Sequence, residues 1–322
     1  MQIFEGQIRF GIHSGPQHIG FSDYLDLWRT VEDLGYEWAS VYDHFLPIQA
    51  DPEGPNFEGL TLLAALAAHT TRIRCGILVV GNTYRNPGVL ANIATTIDHV
   101  SGGRLELGLG AGWYGQEHDQ FGIPLPPMTK RAQMLSETAS ILKSLWTQHK
   151  TNFKGRHYTI TDALCEPKPV QKPHVPLWIG GMGERFTLRV VAEVADGWNA
   201  FFMPIEDYKR KLGVLATYCR EIGRNPNDIR KSLIIEPAVG ETEAEARDRG
   251  RGLASDRNMD IPSFLQQAMV GTPEQCIEQL LPYLELGVSD FIIAARPPVD
   301  KKALELVART IAPALKEHNQ RG

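Results

Sequence analysis

At Asp43-His44, inside the run Ser40-Val41-Tyr42-Asp43-His44-Phe45, a carboxylate and an imidazole stand side by side where an apolar stretch gives way to a loop. Two ionisable groups at such a junction are costly unless they face a cleft and its ligand; the other use of the pair is a helix cap beside a hydrogen-bonded structural histidine. Imidazole takes and gives protons near neutral pH, so the pair marks a catalytic position. A second constellation, Gly180-Gly181-Met182-Gly183-Glu184, lies between an apolar stretch and a helical pattern. Its glycines free backbone N–H groups to close around an anion at the helix's positive end, which predicts a phosphate cradle; a tight turn is the alternative use. Gly110-Ala111-Gly112-Trp113-Tyr114-Gly115 matches the dinucleotide pattern G-x-G-x-x-G. That pattern needs its glycines to open a helix, whereas Pro124, Pro126 and Pro127 follow too closely. The stretch is predicted instead to be a loop whose Trp113 and Tyr114 wall a flat ring or a substrate. Metal chemistry lacks its ligands, because the ten histidines form neither an HExxH helix nor an HxH strand end. A serine nucleophile elbow is absent as well.

Each of these groups follows a short apolar run. Such runs at 8–12, 38–41, 73–80, 105–109, 177–179, 197–201, 232–237 and 290–294 alternate with helical patterns at 23–34, 60–69, 89–100, 131–146, 185–194, 205–222, 241–258, 273–286 and 301–316. Eight strand-and-helix units predict an α/β fold, a closed parallel (β/α)8 TIM barrel, whose chemistry sits on the loops after the strands. His13, Asp43, His44, Cys75 to Asn82, Gly110 to Glu117 and Gly180 to Gly183 then converge on one mouth. The chain reads as a single domain over 1–322, with a small hairpin inserted at 151–165 and a helical insertion at 241–270.

Composition narrows the function. With 43% hydrophobic residues and 322 in all, the chain can bury a large core. A formal charge of -5 without a basic stripe argues against a nucleic-acid partner. No apolar stretch approaches a membrane span, and the amino terminus lacks a signal-peptide layout, so a cytoplasmic location is expected. Cys75, Cys165, Cys219 and Cys276 are far apart and read as buried thiols.

The stretches Ser40 to Pro47, Ser101-Gly102-Gly103-Arg104-Leu105-Glu106-Leu107-Gly108-Leu109-Gly110-Ala111-Gly112-Trp113 and Pro176 to Asn199 resemble, in that order and over nearly the whole chain, the bacterial-luciferase-like family of flavin and deazaflavin oxidoreductases, in particular its coenzyme F420-dependent branch. The resemblance implies hydride transfer between F420 and a small organic substrate. It implies that His44 lies beside the reactive edge of the tricyclic ring, that Asp43 contacts the cofactor's polar edge or side chain, and that the phosphate rests on Gly180, Gly181, Met182 and Gly183. It further implies a non-proline cis peptide in strand three backing the ring, at Gly76-Ile77 or at the neighbouring Cys75-Gly76. Cys75, Gly76, Ile77, Gly110 and Gly112 thereby join the cofactor-binding set, and His13, Trp113 and Tyr114 the substrate-binding set. Two departures set the chain apart from the sugar-phosphate dehydrogenases of that branch. Their acidic residue after strand four is Trp113 here, and their tryptophan after the Asp-His pair is Ile48. Proton-handling candidates are then His44 first, with His13 and Glu117.

The rivals are a monooxygenase using reduced FMN and a non-catalytic flavin-binding protein. F420 carries an anionic tail that FMN lacks, for which Arg85, Arg185 and Lys130 offer a basic exit. Apolar helices at 60–68 and 89–97 offer more hydrophobic surface than an outer barrel layer leaves exposed, and with the family habit they predict a homodimer.

Overall fold

Apolar residues on both faces of nearly every short strand leave a parallel sheet covered by helices as the arrangement that buries them. The computed structural model, which describes residues 7–321, has that form. In chain order the elements are β1 (Arg9–His13), α1 (Phe21–Asp33), β2 (Trp38–Val41), α2 (Gly59–Ala68), β3 (Arg74–Gly81), α3 (Pro87–Val100), β4 (Leu105–Gly110), α4 (Gly115–Gln120) and α5 (Met128–Thr147). There follow β5 (Thr151–Lys154), β6 (Thr159–Ala163), β7 (Leu177–Gly180), α6 (Thr187–Val194), β8 (Gly197–Phe201), α7 (Ile205–Glu221), β9 (Arg230–Val239), α8 (Glu243–Asp256) and α9 (Ile261–Leu265). The chain ends with β10 (Ala268–Gly271), α10 (Pro273–Glu285), β11 (Asp290–Ala294), α11 (Lys301–Leu306), a π turn (Val307–Ile311) and α12 (Ala312–Arg321).

Strands β1, β2, β3, β4, β7, β8, β9 and β11 pair in parallel in that order, and β11 returns to β1, closing the (β/α)8 barrel. Strands β5 and β6 form the antiparallel hairpin expected within 151–165.

Alternation along the strands sorts the side chains. Outward residues such as Phe10, Val41, Ile77, Leu107 and Ile293 pack under the helices. Inward residues fill the barrel in layers. Its floor, at the amino ends of the strands, is ionic: Arg9 binds Asp290 at 2.5 Å and Glu106 at 2.7 Å, while Glu106 also accepts from Arg74 Nε (2.5 Å) and Trp178 Nε1 (2.6 Å). Burial pushes the Glu106 carboxyl upward, yet Arg74, Arg9 and Trp178 outweigh it and hold its pKa at about 2. Above the floor Trp38, Trp178, Leu78, Ile234, Ile292 and Ala294 close the interior, with Val79 packed against them.

Four features depart from the sequence expectations. The non-proline cis peptide is Leu78-Val79, not Gly76-Ile77 or Cys75-Gly76. Pairing of β3 with β4 is regular through Ile77 and Leu107 and resumes at Val80 and Leu109, so the two-residue bulge falls at Leu78 and Val79 opposite Gly108. Room for it comes from the facing strands: a Cβ on Gly108, Gly110 or Gly180 would lie within 3.0 Å of the Val79 side chain. Ala111 to Tyr114 form the expected loop, but Gly115 opens the helix α4 where none was expected, since the prolines stand beyond its end and stop it rather than prevent it. The segment expected to be helical over 241–270 includes β10, which pairs with Glu236 to Val239, the part of the long β9 that runs past β11. Finally, the last helix is interrupted by the π turn.

Candidate active site

The barrel mouth is built from the ends of β1 to β4 and the loops after them. His44 follows β2, and its Nδ1 lies 2.8 Å from Glu117 Oε2 on α4. Glu117 is fully buried and accepts three more bonds, from the Phe45 N–H (2.6 Å), the Leu46 N–H (2.9 Å) and the Tyr84 hydroxyl. Burial alone would raise its pKa, but the bonds from His44, Tyr84 and the backbone outweigh burial and keep it below the usual carboxylate range. An ionised carboxylate on Nδ1 fixes the ring's orientation and leaves Nε2 as the nitrogen available to a ligand. Three aromatic rings lie around the imidazole, Tyr42 at 5.3 Å, Trp113 at 5.5 Å and Tyr114 at 5.8 Å between centroids. Trp113 stacks on Tyr114 at 5.1 Å and remains 63% exposed, an apolar wall open toward the mouth.

His13 ends β1, 6.1 Å from the Tyr42 ring, with Nδ1 3.0 Å from Ser40 Oγ. Burial, reinforced by Arg296 and His44, lowers its pKa to about 3, so it stands neutral at the mouth. Asp43 is buried and fully engaged, taking both terminal nitrogens of Arg85 at 2.5 and 2.8 Å and the Gly81 N–H at 3.1 Å. Arg85 also binds Glu58, so this arginine clamps three segments together and is spent, leaving Arg185 and Lys130 exposed from the predicted basic exit.

Other candidates separate. Cys75 and Ile77 point outward into the core beneath the helices, and Cys75 Sγ lies 3.3 Å from Arg104, so neither side chain reaches the mouth. Gly76 lies in register with Ser40 and Glu106, below the bulge. Gly110 and Gly180 border the Val79 side chain. Gly112 and Gly181 take φ values of +81° and +126°, which disfavour any other residue. Within the glycine loop the Gly181 N–H is committed to the Asn199 carbonyl (3.1 Å). Among the described residues the N–H groups of Met182, Gly183 and Glu184 donate no hydrogen bond, and they precede α6. Gly183 sits against Thr187, the Met182 carbonyl accepts from Lys211 (3.0 Å), and these free donors beside a helix start suit a phosphate. The Leu78-Val79 bulge, bordered by glycines, offers a platform for a flat ring, so the residues present fit a phosphate-bearing tricyclic cofactor.

Two hollows lie elsewhere. A cavity of about 480 Å³ opens among Arg74, Glu106, Trp178 and Lys231 at the amino ends of the strands, the end that serves stability in such barrels. A groove of about 1010 Å³ runs between α5, the β5–β6 hairpin and α6, lined by Lys154, Arg156, Arg185 and Arg189. Among the described residues no His, Cys, Asp and Glu group has the makings of a metal site.

Fold and mouth together define a barrel oxidoreductase of the luciferase type. Residues 6–255 match the family model described as luciferase-like monooxygenase, and the chain belongs to that family. It is similar to the F420-dependent glucose-6-phosphate dehydrogenase of Microbacterium testaceum, with 26% identity covering 96% of this chain and 98% of that one. Its fold superimposes on the coenzyme F420-dependent tetrahydromethanopterin reductase of Methanopyrus kandleri (TM-score 0.81, 19% identity, 96% and 99% of the two chains). A monooxygenase from Streptomyces bottropensis is also similar in fold (TM-score 0.78, 21% identity, 95% and 99%).

Proposed function

We propose that the protein is an F420-dependent oxidoreductase that moves a hydride between the deazaflavin and a small organic substrate. The observation that carries this reading is the His44–Glu117 pair, held beside exposed aromatic walls at a mouth that also contains a glycine-bordered bulge and free backbone donors. When bound, F420 supplies the hydride chemistry. His44 holds at Nε2 the proton that accompanies the hydride, and Glu117 orients the ring. Trp113 and Tyr114 wall the substrate from water, with His13 beside it as a neutral hydrogen-bonding partner. Met182, Gly183 and Glu184 bind the phosphate through their N–H groups, while Leu78 and Val79 back the ring. Asp43 acts through Arg85 by fixing the loop that bears His44. Glucose 6-phosphate is not the substrate proposed, because Trp113 and Ile48 replace the residues by which the sugar-phosphate branch is marked.

Four buried free thiols and the absence, among the described residues, of a helix long and apolar enough to cross a membrane support a cytoplasmic location. Side-by-side titration of the purified protein with F420 and FMN tests the assignment. Tighter F420 binding with substrate-dependent bleaching of the deazaflavin is expected. Tighter FMN binding with oxygen consumption would establish the monooxygenase reading, which the likeness to the Streptomyces enzyme favours.

A further inference from the structure

Diametrically across the barrel from β3 and β4, where the ring platform and the His44–Glu117 pair gather, stand β9 and β11. Ile234 of β9 faces the interior and pairs with Ile292, and Ala294 pairs with His13. One pleat above Ile234, Glu236 therefore reaches the level of His13, and Arg296 follows one pleat above Ala294. Both Arg296 and Arg257 converge on this single carboxylate, which is only 4% exposed. Arg296 Nε lies 3.1 and 3.2 Å from its two oxygens, Arg296 Nη2 and Arg257 Nη2 also donate to it, and the two guanidinium groups stay partly exposed.

Two cations on one anion leave a net positive charge inside the rim. Each guanidinium carries five donors. Among the described residues Arg296 Nη1 and Arg257 Nε and Nη1 make no hydrogen bond. The field of Arg296 reaches the centre of the mouth: it adds to the burial that lowers the His13 pKa and opposes the burial that raises that of Tyr42. Next to this charged corner the surface is apolar: Phe201, paired with Ile234 at the end of β8, is 52% exposed, and Trp113 faces the mouth from the other side.

We propose that the substrate is an organic oxyanion, an apolar body bearing a carboxylate or phosphate, and that Arg296 and Arg257 grip its charged group while Phe201 and Trp113 hold its body. This rests on the mouth being the substrate site of the proposed oxidoreductase. Glu236 keeps the two guanidinium groups together and competes with the ligand for them.

Calorimetric titration of the full-length protein, with and without F420, uses octanoate, octyl phosphate and octanol as probes. Both acids are expected to bind at least tenfold tighter than octanol. Arg296→Gln should remove that preference while leaving octanol affinity unchanged, Arg257→Gln should weaken it in part, and Glu236→Gln should raise acid affinity. Where Arg296→Gln fails to fold, the opposite shifts in the other two variants carry the test. Equal binding of octanol and the acids, or acid binding indifferent to all three substitutions, overturns the inference. Loss of F420 affinity in Arg296→Gln with unaltered octanoate binding overturns it too, by assigning the arginines to the cofactor. Absence of F420 binding in the unsubstituted protein would refute the proposed function instead, and the titrations without F420 still decide the oxyanion site.

Discussion

Replacing Glu117 with glutamine removes the charge that orients His44 while retaining an acceptor for the Phe45 and Leu46 N–H groups. Turnover is expected to fall about 10²-fold or more, the scale of a lost general acid or base, with KM changed far less. His44→Ala should lower turnover similarly and leave the cofactor dissociation constant within about tenfold, ~1.4 kcal/mol. Loss of cofactor binding with normal turnover at saturation would make His44 an anchor rather than a proton carrier. His13 offers a separate titration. Its folded pKa of about 3 lies below its unfolded value of about 6.5, so it adds no penalty above pH 6.5. As pH falls below that value the unfolded chain binds a proton that the folded chain refuses. Stability should decline by about 1.4 kcal/mol per pH unit from this group alone. Urea midpoints measured from pH 8 to 5 should show a shallower slope in His13→Asn; an identical slope would remove His13 from the account.

At the scale of elements, the site depends on room made by one strand for another. Gly180→Val would press on Val79, and overpacking of this kind costs about 1–3 kcal/mol and should dislodge the ring platform. Thermal melts of Gly180→Val, Val79→Ala and the double variant should show partial recovery in the double variant; strict additivity would mean the two side chains do not meet. This arrangement was only half legible in the sequence. Apolar runs marked the eight barrel strands because burial on both faces demands them, and Asp43-His44 was visible because ionisable residues interrupt such a run. The bulge was not, since the glycines that admit it belong to β4 and β7, distant in sequence, while Gly76 within β3 drew attention to the wrong bond. Glu117 was visible only as a candidate, because its bond to His44 spans 73 positions. Arg296 and Arg257 gave no local signal, as nothing near either in the sequence announces Glu236. The barrel floor carries its own test. Glu106→Gln would leave Arg9 and Arg74 facing a neutral amide, and breaking a buried ion pair costs about 3–5 kcal/mol. With its pKa held at about 2, Glu106 contributes stability that is present above the ordinary carboxylate value and lost as pH falls toward 2. The variant should therefore lose less stability than the parent between pH 4.5 and 2.

For the molecule as a whole, assembly and the choice of cofactor are both matters of surface. The apolar residues of α2 and α3 on which the homodimer was expected, Leu60, Leu62, Leu63, Leu66, Leu90 and Ile97, are buried within the single chain, so the proposal of a homodimer rests on the scattered exposed Val89 (56%), Val100 (45%) and Phe57 (38%) beside them. Light scattering at micromolar concentration should give twice the chain mass. Cofactor choice turns on what lies beyond the phosphate. The groove between α5 and α6, where Arg185, Arg189, Lys154 and Arg156 outnumber Glu137 and Glu193, adjoins the glycine loop and offers F420's anionic tail a path that FMN cannot use. Exposed charges of this kind are worth little singly and are screened over ~10 Å at 0.1 M salt, so any tail contribution must vanish as salt rises. F420 is expected to bind more tightly than FMN at low salt, and the advantage should shrink steadily with added salt. Arg185→Gln combined with Arg189→Gln should reproduce at low salt the affinity that the parent shows at high salt, leaving FMN untouched. Salt-independent F420 binding would exclude the groove as the tail's path, and tighter FMN binding at every salt concentration would turn the assignment toward the monooxygenase.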